Sequence, residues 1–231
     1  GNAAWQDAGY YSLAQVSVGL GNWESALEEI DRSLVRNWHN HRARHLKTLI
    51  LRHLGLREEA LQLIGESLAL DPFNFGCSFE AWLLTDDDKV LTDMKIRMRN
   101  EARNYEELVA DYAQAGDWQS ALQVVDVSLS DGQALSCLLM YEKAWILAQI
   151  DRCGEAIDWV EKAEQAPVDE FFPNSLEALL ALQCVVSLPV TAPKALYQLG
   201  NLWYDKRQYA EAVSAWERSK QIDGAVPTAW G

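Results

Sequence analysis

Apolar and small residues recur along the chain with the period of an α-helix. An Ala is followed at +1, +4 and +7 by an aliphatic, a large apolar and a small residue, and this pattern occurs five times. These offsets place the residues on one stripe of a helix, and no segment sustains a period of two. The pattern therefore predicts helices and no strands. The five copies are Ala26-Leu27-Ile30-Ser33, Ala60-Leu61-Ile64-Ser67, Ala121-Leu122-Val125-Ser128, Ala156-Ile157-Val160-Ala163 and Ala212-Val213-Trp216-Ser219.

Each copy is expected to form the second helix of a hairpin whose first helix lies upstream. Small residues at the ends of the stripe let a neighbouring helix approach closely, and the large residue fills the groove between the two helices. Apolar-periodic segments at 105–115, 140–149 and 196–204 supply first helices. Gly21 and Gly116 suit the turns that follow a first helix.

The marker alanines are separated by 34, 61, 35 and 56 residues. Two intervals match one helical-hairpin repeat of about 34 residues, and the other two contain extra apolar-periodic sequence that is expected to be helical. We therefore predict one array over residues 1–231. Its units are about 7–40, 41–74, 102–135, 137–170 and 193–226, its irregular helical inserts are 75–101 and 171–192, and a truncated repeat occupies 227–231.

The last unit carries small and aromatic residues at regular helical positions. They are Leu199-Gly200, Trp203-Tyr204, Tyr209, Ala212 and Trp216. This set resembles the consensus of the tetratricopeptide repeat. The second unit ends in Asp71-Pro72, similar to the Pro between consensus repeats, whereas its first helix has Lys47-Thr48 where Leu-Gly is expected. The resemblance implies an α-α superhelix that binds other proteins in its inner groove. Segment 199–216 is also similar to the repeat region of large bacterial multidomain proteins with an uncharacterised, carbohydrate-associated domain.

Composition and charge exclude some classes of partner. Of 231 residues, 49% are hydrophobic, which is enough for a well-buried core. The 34 acidic and 20 basic residues give a formal charge of −14, which repels a phosphate backbone and disfavours nucleic acid. No apolar run approaches the roughly 20 residues of a membrane helix, so no membrane partner is expected.

Four scattered cysteines form no CxxC pair. Each has apolar neighbours in a helical or helix-flanking stretch, so we expect buried free thiols. Such thiols suit a reducing compartment, and the sequence has no N-glycosylation sequon. These features predict a cytoplasmic location. The cysteines are Cys77, Cys137, Cys153 and Cys184.

Ligands of the tetratricopeptide family lie along a groove lined by set positions of the first helices. Aromatic rings at these positions are expected to be exposed, since no neighbouring helix covers them. The clamp that grips chaperone tails is not present, because Tyr197 stands where that clamp has Lys. The groove candidates in this chain are Tyr11, Arg42, His45, Arg52, Tyr141, Trp145, Tyr197, Asn201 and Tyr204.

Segment 32–57 contains seven Arg or Lys, all four His and no acidic residue. One interpretation is a basic pocket with Arg42 and Arg52 on the inner face, which predicts an acidic protein or peptide as partner. The alternative is a solvated face whose charges pair with acidic neighbours such as Glu28 and Glu29.

Signatures of metal sites and enzymes are missing from the sequence. His41 and His45 have a spacing that suits one metal ion, but no carboxylate or Cys at ligand spacing completes a site. Asp86 to Asp88 form a helix N-cap and first turn more simply than a hard-cation site. No HExxH, P-loop or GxSxG motif occurs. We expect no metal, no cofactor and no catalysis.

The sequence predicts a non-catalytic protein-binding or scaffolding module. The alternative is a structural helical region of a larger carbohydrate-active enzyme whose active site lies elsewhere. Trp230 falls where a further repeat would have its consensus Trp. We therefore expect a piece of a longer array, with self-association through an open C-terminal seam.

Overall fold

The computed structural model describes residues 3–130, 136–167 and 173–223, with side chains from residue 6 onward. All regular secondary structure in these ranges is α-helical, which confirms the predicted all-α class. None of the described helices is long and apolar enough to span a membrane. The described helices are α1 (Ala3–Gly19), α2 (Trp23–Arg36), α3 (His41–His53), α4 (Arg57–Leu70), α5 (Phe75–Thr85), α6 (Asp88–Met98), α7 (Ala102–Gln114), α8 (Trp118–Leu129), α9 (Cys137–Gln149), α10 (Cys153–Gln165), α11 (Leu176–Ser187), α12 (Pro193–Asp205) and α13 (Tyr209–Ile222).

The repeated stripe is the face on which helices pack. Because an Ala has no side chain beyond Cβ, its burial lets two helix backbones approach closely. The small residue at +7 is buried in every copy as well. The fully buried marker alanines are Ala26, Ala60, Ala121, Ala156 and Ala212.

The turn after the first helix contains a left-handed residue in all five predicted hairpins. Gly21, Gly55 and Gly116 have φ of 73°, 73° and 71°, a conformation that glycine adopts without steric cost. Asp151 and Arg207 hold the same place with φ of 61° and 60°. The turn geometry is therefore kept where the sequence offers no glycine.

The chain divides into two compact units. Unit 1 comprises Gly1–Asn104 and Gln114–Gly116. It contains the hairpins α1–α2, α3–α4 and α5–α6, and α2 packs on α3 and α4 on α5. Segment 75–101, predicted as an irregular insert, holds α5 and α6, which pack together as a further hairpin.

Two residues of the acidic triplet of unit 1 form an N-cap and a first turn, as predicted, whereas the first residue ends the preceding helix. Asp86 ends α5 in the left-handed region with φ of 53°. The side chain of Asp87 is the N-cap of α6 and accepts a hydrogen bond from the backbone N–H of Lys89 at 2.9 Å. Asp88 lies in the first turn of α6, where a negative charge is favourable.

Unit 2 comprises Tyr105–Ala113 and Asp117–Gly231. In it α9 packs on α8, α10 and α11, and α11 packs on α12. Within the predicted insert 171–192, α11 is a single helix between two hairpins, and residues 171–172 lie outside the described residues. The predicted start of a further repeat at 227–231 also lies outside them.

Candidate functional site

Three candidate residues of unit 1 lie in different surroundings. Tyr11 on α1 is half-buried, and Arg42 in the first turn of α3 is exposed. His45 is buried, and its imidazole lies against Gly76 of α5, where a Cβ would come within 2.3 Å of the ring. His45 is therefore placed in the interface between α3 and α5, not on the predicted groove.

The fourth candidate of unit 1, Arg52, is held by a buried carboxylate. Its guanidinium donates from Nε to Oε2 of Glu80 at 2.7 Å and from Nη2 to Oε1 at 3.1 Å. Glu80 lies on α5 and is fully buried. This two-bond arrangement fixes both side chains and balances the charge of Arg52. Arg52 thus joins α3 to α5.

Other cations of the basic segment are also engaged within unit 1. Lys47 Nζ lies 2.6 Å from Asp31 Oδ1. Arg44 is fully buried, donates to Ser67 Oγ at 2.8 Å, and lies over the Trp38 ring at 4.2 Å from its centroid. Burial lowers the pKa of the Arg44 guanidinium by desolvation. These cations are paired within unit 1, as the solvated-face interpretation expects, but with Asp31 and Glu80, and the buried Arg44 is not part of a solvated face.

The two histidines with metal-ligand spacing lie apart from any metal-binding arrangement. Nδ1 of His41 is 3.8 Å from Oδ2 of Asp71, and His45 is enclosed beside Gly76. Across the ranges that the structure describes, no group of three or more His, Cys, Asp or Glu side chains could hold a metal ion.

The expectation that Tyr141 and Trp145 are exposed is wrong. Both are buried. The Tyr141 hydroxyl donates to Glu164 of α10 at 2.7 Å, and the Trp145 ring meets Trp118 of α8 edge-on at 5.2 Å. Burial, with the nearby charge of Glu164, raises the pKa of Tyr141. This face of α9 therefore packs on α8 and α10.

Three candidates share one face of α12 and lie at least partly at the surface. Tyr197, Asn201 and Tyr204 are spaced by four and three residues, and all are half-buried or exposed. Oδ1 of Asn201 accepts from the indole N–H of Trp216 at 3.2 Å. The Tyr204 ring contacts Tyr209 at 5.4 Å and Trp216 at 5.8 Å between centroids. The rings therefore form one cluster across α12 and α13.

The close contact of α12 with α13 depends on a glycine. A Cβ built on Gly200 would lie 2.4 Å from Cδ1 of Trp216, a distance that side chains do not tolerate. Gly200 lets the Trp216 ring lie close to the α12 backbone, and the indole N–H reaches Asn201. The Gly of the consensus Leu-Gly pair, here Gly200, is therefore explained by the close packing of Trp216 against α12.

One acidic residue that the sequence reasoning missed is Glu142. It lies on α9 in the run Leu138–Leu147, which is otherwise apolar apart from Lys143, and it is buried. Burial and the charges of Glu106 and Glu177 raise its pKa well above the ordinary value. Glu106 and Glu142 are 36 residues apart, and Glu142 and Glu177 are 35 residues apart. Both separations are close to one repeat length, and this recurrence is the sequence feature that could have identified Glu142.

The expectation of buried thiols holds for one cysteine. Cys77 is buried, and desolvation raises its pKa to about 12. Cys153 is exposed at the start of α10, while Cys137 and Cys184 are half-buried, so the expectation is wrong for these three. The thiol of Cys137 donates to the Pro167 carbonyl at 3.2 Å. All four are free thiols.

Comparison with known proteins finds similar helical structures. No family profile matches the sequence. MamA from residue 41 to its end, from Desulfovibrio magneticus RS-1, is 16% identical, with 68% of this chain and 93% of that chain covered and a TM-score of 0.39. TTC0263, described as a thermophilic TPR protein in Thermus thermophilus, is 17% identical, with 95% of this chain and 93% of that chain covered and a TM-score of 0.32.

A tetratricopeptide repeat protein from Parabacteroides merdae ATCC 43184 is 12% identical to the chain, with 95% of this chain and 94% of that chain covered and a TM-score of 0.38. Proteins described as tetratricopeptide repeat proteins are thus among the structural neighbours. At these identities and TM-scores the likenesses carry no argument about ligands, which must come from the residues themselves.

Proposed function

We propose that the chain is a non-catalytic module that binds other proteins and that the α12–α13 hairpin supplies the central contact. The observation that carries this proposal is the pair of contacting, exposed rings of Tyr204 and Tyr209. Aromatic side chains bury a large area at a low cost in side-chain entropy, and they are enriched at the energetic centres of protein interfaces.

The exposure of this pair is not a general property of tyrosines in unit 2. Tyr105, Tyr112 and Tyr141 are buried almost completely, whereas Tyr204 and Tyr209 are 51% and 56% exposed. Single exposed rings are common on protein surfaces. Two rings in contact on one surface form a larger rigid apolar area, which supports binding of a partner.

The neighbouring polar groups add hydrogen-bonding capacity to this surface. Tyr197 and Asn201 extend the stripe of Tyr204 along α12 by two turns of helix. A partner segment that follows this stripe would meet rings and an amide in alternation, which suits an extended peptide or a helix.

Unit 1, taken by itself, is proposed to offer a separate contact surface. The exposed Arg42 would interact with an acidic group, and the half-buried Tyr11 would give apolar contact. Arg52 is a weaker candidate because its guanidinium is already bound by Glu80.

The proposal is tested by affinity capture from the source cells with the whole chain as bait. The decisive bait combines Tyr197→Ala with Tyr204→Ala, and Phe73→Ala is the matched control because Phe73 is an aromatic of unit 1 that is 59% exposed. We expect the double variant to lose specific partners and the control to keep them. Equal recovery by all baits with unchanged circular dichroism contradicts the proposal.

A second copy of the chain is another occupant that this surface could take. Co-expression of two differently tagged chains distinguishes it from a foreign partner. If the wild-type chain recovers only the second tagged copy, and the double variant does not recover it, the surface would be assigned to self-association.

A further inference from the structure

Helix α1 of unit 1 exposes an apolar face. Leu13, Val16 and Leu20 are spaced by three and four residues, so they share one face of the helix. Their exposed fractions are 51%, 60% and 70%, whereas Ala14 and Val18 on the other side of the helix are buried. We call the three exposed side chains the α1 stripe. Three large apolar side chains on adjacent turns form a surface that is favourable to cover.

The helix that carries the α1 stripe lacks a charged outer face. No Asp, Glu, Lys or Arg occurs at residues 8–23, although charged residues make up 23% of the chain. Gly9 and Ser12 beside the stripe are exposed and small, and a Cβ built on Gly9 would meet no atom within 4 Å. A surface helix ordinarily turns charged side chains to water. The exposed side of α1 therefore has the composition of a buried helix face, with room for another helix to approach.

The equivalent face of α3 is covered by the helix that precedes it. The first two marker alanines are 34 residues apart. The same shift takes Leu13 to Lys47, whose Nζ lies 2.6 Å from Oδ1 of Asp31 on α2. It takes Val16 to Ile50, which is fully buried, and α2 packs on α3. The position of the α1 stripe is thus a helix-binding position in the next hairpin.

The same position is covered in two further helices. A second shift of 34 residues leads from Leu13 to Ala81 of α5, which packs with Ile64 of α4. In unit 2 the equivalent of Leu13, counted from the marker alanine of its hairpin, is Lys143 of α9. Its Nζ lies 2.6 Å from Oδ1 of Asp126 on α8. In all three cases the covering helix is the one that comes before in the chain.

The covering helix matches the chemistry of the residue at the Leu13 position. Asp31 and Asp126, which pair with Lys47 and Lys143, each stand five residues after a marker alanine. Leu13 offers no cation, so a carboxylate placed against it would be desolvated without a partner charge. The helix that fits the α1 stripe therefore has a small residue, a large apolar residue four positions later and an uncharged residue at the fifth position.

A second copy of this chain does not offer such a helix. The fifth residue after the marker alanine is acidic in four of the five occurrences of the pattern. The exception is Gly65 of α4, and the adjacent Ile64 is already packed on α5. The four acidic residues are Asp31, Asp126, Glu161 and Glu217.

We propose that the α1 stripe binds an amphipathic helix of a partner protein that has this pattern. The helix lies on α1 as α2 lies on α3, with its uncharged fifth residue facing Leu13. The small side chains of Gly9 and Ser12 let the two helices approach closely. This surface belongs to unit 1 and goes beyond the tyrosine surface proposed above.

The probe is a fluorescein-labelled peptide with the sequence of α4, Arg57–Leu70. Helix α4 is chosen because Gly65 is the uncharged fifth residue of its pattern. A lactam between Gln62→Lys and Glu66, which are exposed in α4, holds the peptide helical. The control peptide carries Gly65→Asp. Affinity is measured by fluorescence anisotropy with the whole chain at physiological salt.

The chain variants are Val16→Asp in the α1 stripe and Val35→Asp on α2. Val35 is 84% exposed and lies outside the stripe, so its variant adds the same charge at another apolar surface position. We expect Val16→Asp to weaken probe binding by about tenfold or more and Val35→Asp by less than about twofold. The Gly65→Asp peptide should bind the wild-type chain at least about fivefold more weakly than the probe.

No probe binding by the wild-type chain, or equal weakening by the two chain variants, overturns the proposal. Equal affinity for the two peptides overturns the requirement for an uncharged fifth residue. Leu13→Asp is a second variant with the same expected loss if circular dichroism shows that Val16→Asp does not fold.

Two other occupants of the α1 stripe give different results. A concentration-dependent dimer in sedimentation velocity that is lost in Val16→Asp would assign the stripe to a second copy of the chain and overturn the proposal. Binding to phosphatidylcholine vesicles that is lost in Val16→Asp, without binding of the probe, would assign the stripe to a membrane surface and overturn it as well.

Failure of this test is separable from failure of the proposed function. The peptide experiment uses no native partner and no variant of the Tyr197–Tyr204 surface. A negative result removes the helix-binding role of the α1 stripe only, whereas unchanged capture by the tyrosine double variant removes the proposed binding surface.

Discussion

The hydroxyl of Tyr141 donates a hydrogen bond to Oε1 of Glu164 at 2.7 Å. The same carboxylate accepts from the backbone N–H groups of Lys194 and Ala195 at the start of α12, at 2.9 and 3.0 Å. Glu164 therefore satisfies donors that the first turn of a helix leaves unpaired. One tyrosine and one glutamate join α9, α10 and α12.

Tyr141→Phe is expected to destabilise the fold without affecting capture of a partner. The variant removes one hydrogen bond to a charged acceptor and keeps the ring, so the free energy of unfolding should fall by about 1–2 kcal/mol. Urea denaturation followed by circular dichroism measures the change. Tyr204→Phe is the matched control at an exposed ring and should stay within about 0.5 kcal/mol of wild type. If the variant loses partner binding while its stability is unchanged, Tyr141 would be a ligand-contacting residue of the groove.

Gly200→Ala is expected to destabilise the last hairpin. The new Cβ would overlap the Trp216 ring, and overpacking of this kind costs about 1–3 kcal/mol. Tryptophan fluorescence and urea denaturation should both report the change. Gly65→Ala is the control, since Gly65 lies inside α4 with no atom within 4 Å of the added Cβ, and it should stabilise the chain by about 0.5–1 kcal/mol. Equal changes in the free energy of unfolding for Gly200→Ala and Gly65→Ala would refute the close contact between Gly200 and Trp216.

Arg52→Leu and Arg42→Leu separate the two interpretations of the basic segment. Removing Arg52 leaves the buried carboxylate of Glu80 without its ion pair, so we expect a loss of about 3–5 kcal/mol. Arg42 is exposed, and its variant should change stability by less than about 0.5 kcal/mol. Thermal unfolding measures both. Similar small effects would mean that the pair of Arg52 and Glu80 is not structural and that Arg52 is available to ligands.

Glu142→Gln should become more stable relative to wild type as the pH rises. The folded state raises the pKa of Glu142, so above the ordinary Glu value of 4.5 the unfolded chain loses a proton that the folded chain keeps. Stability of the wild type must then fall with pH until the folded-state pKa is reached.

The expected difference in slope between the two chains is up to about 1.4 kcal/mol per pH unit, the value for one proton. Urea denaturation of both chains from about pH 5 to about pH 8 measures it. Parallel curves for Glu142→Gln would mean that Glu142 titrates in the same way in the folded and unfolded chains.

The helical hairpins could be predicted because their signal is local. A marker Ala and a small residue seven positions later must be buried wherever two helices pack closely, and this requirement appears within a single helix of sequence. Ala156 and Ala163 on α10 are both fully buried. The turns were recognisable where they contain glycine, whereas the turn at Arg207 has the same left-handed geometry without one.

The site residues were harder to predict because their exposure depends on how each helix is rotated about its axis relative to several neighbouring helices. Counting from the start of the unit places Tyr141 and Trp145 in the groove, but this stripe of α9 faces α10 and α8. The pairing of Arg52 with Glu80 joins residues 28 positions apart. Glu142 was missed because a single acid in an apolar helix becomes informative only when compared with the neighbouring repeats.

The most direct test of the proposed protein-binding surface is site-specific photocrosslinking in the source cells. Tyr204 is replaced by p-benzoylphenylalanine, with the same replacement at Phe73, which is similarly exposed but lies in unit 1. The aromatic replacement preserves the ring at each position. We predict a light-dependent covalent adduct with another protein at position 204 and none at position 73. An adduct at position 73 with none at position 204 would contradict the account.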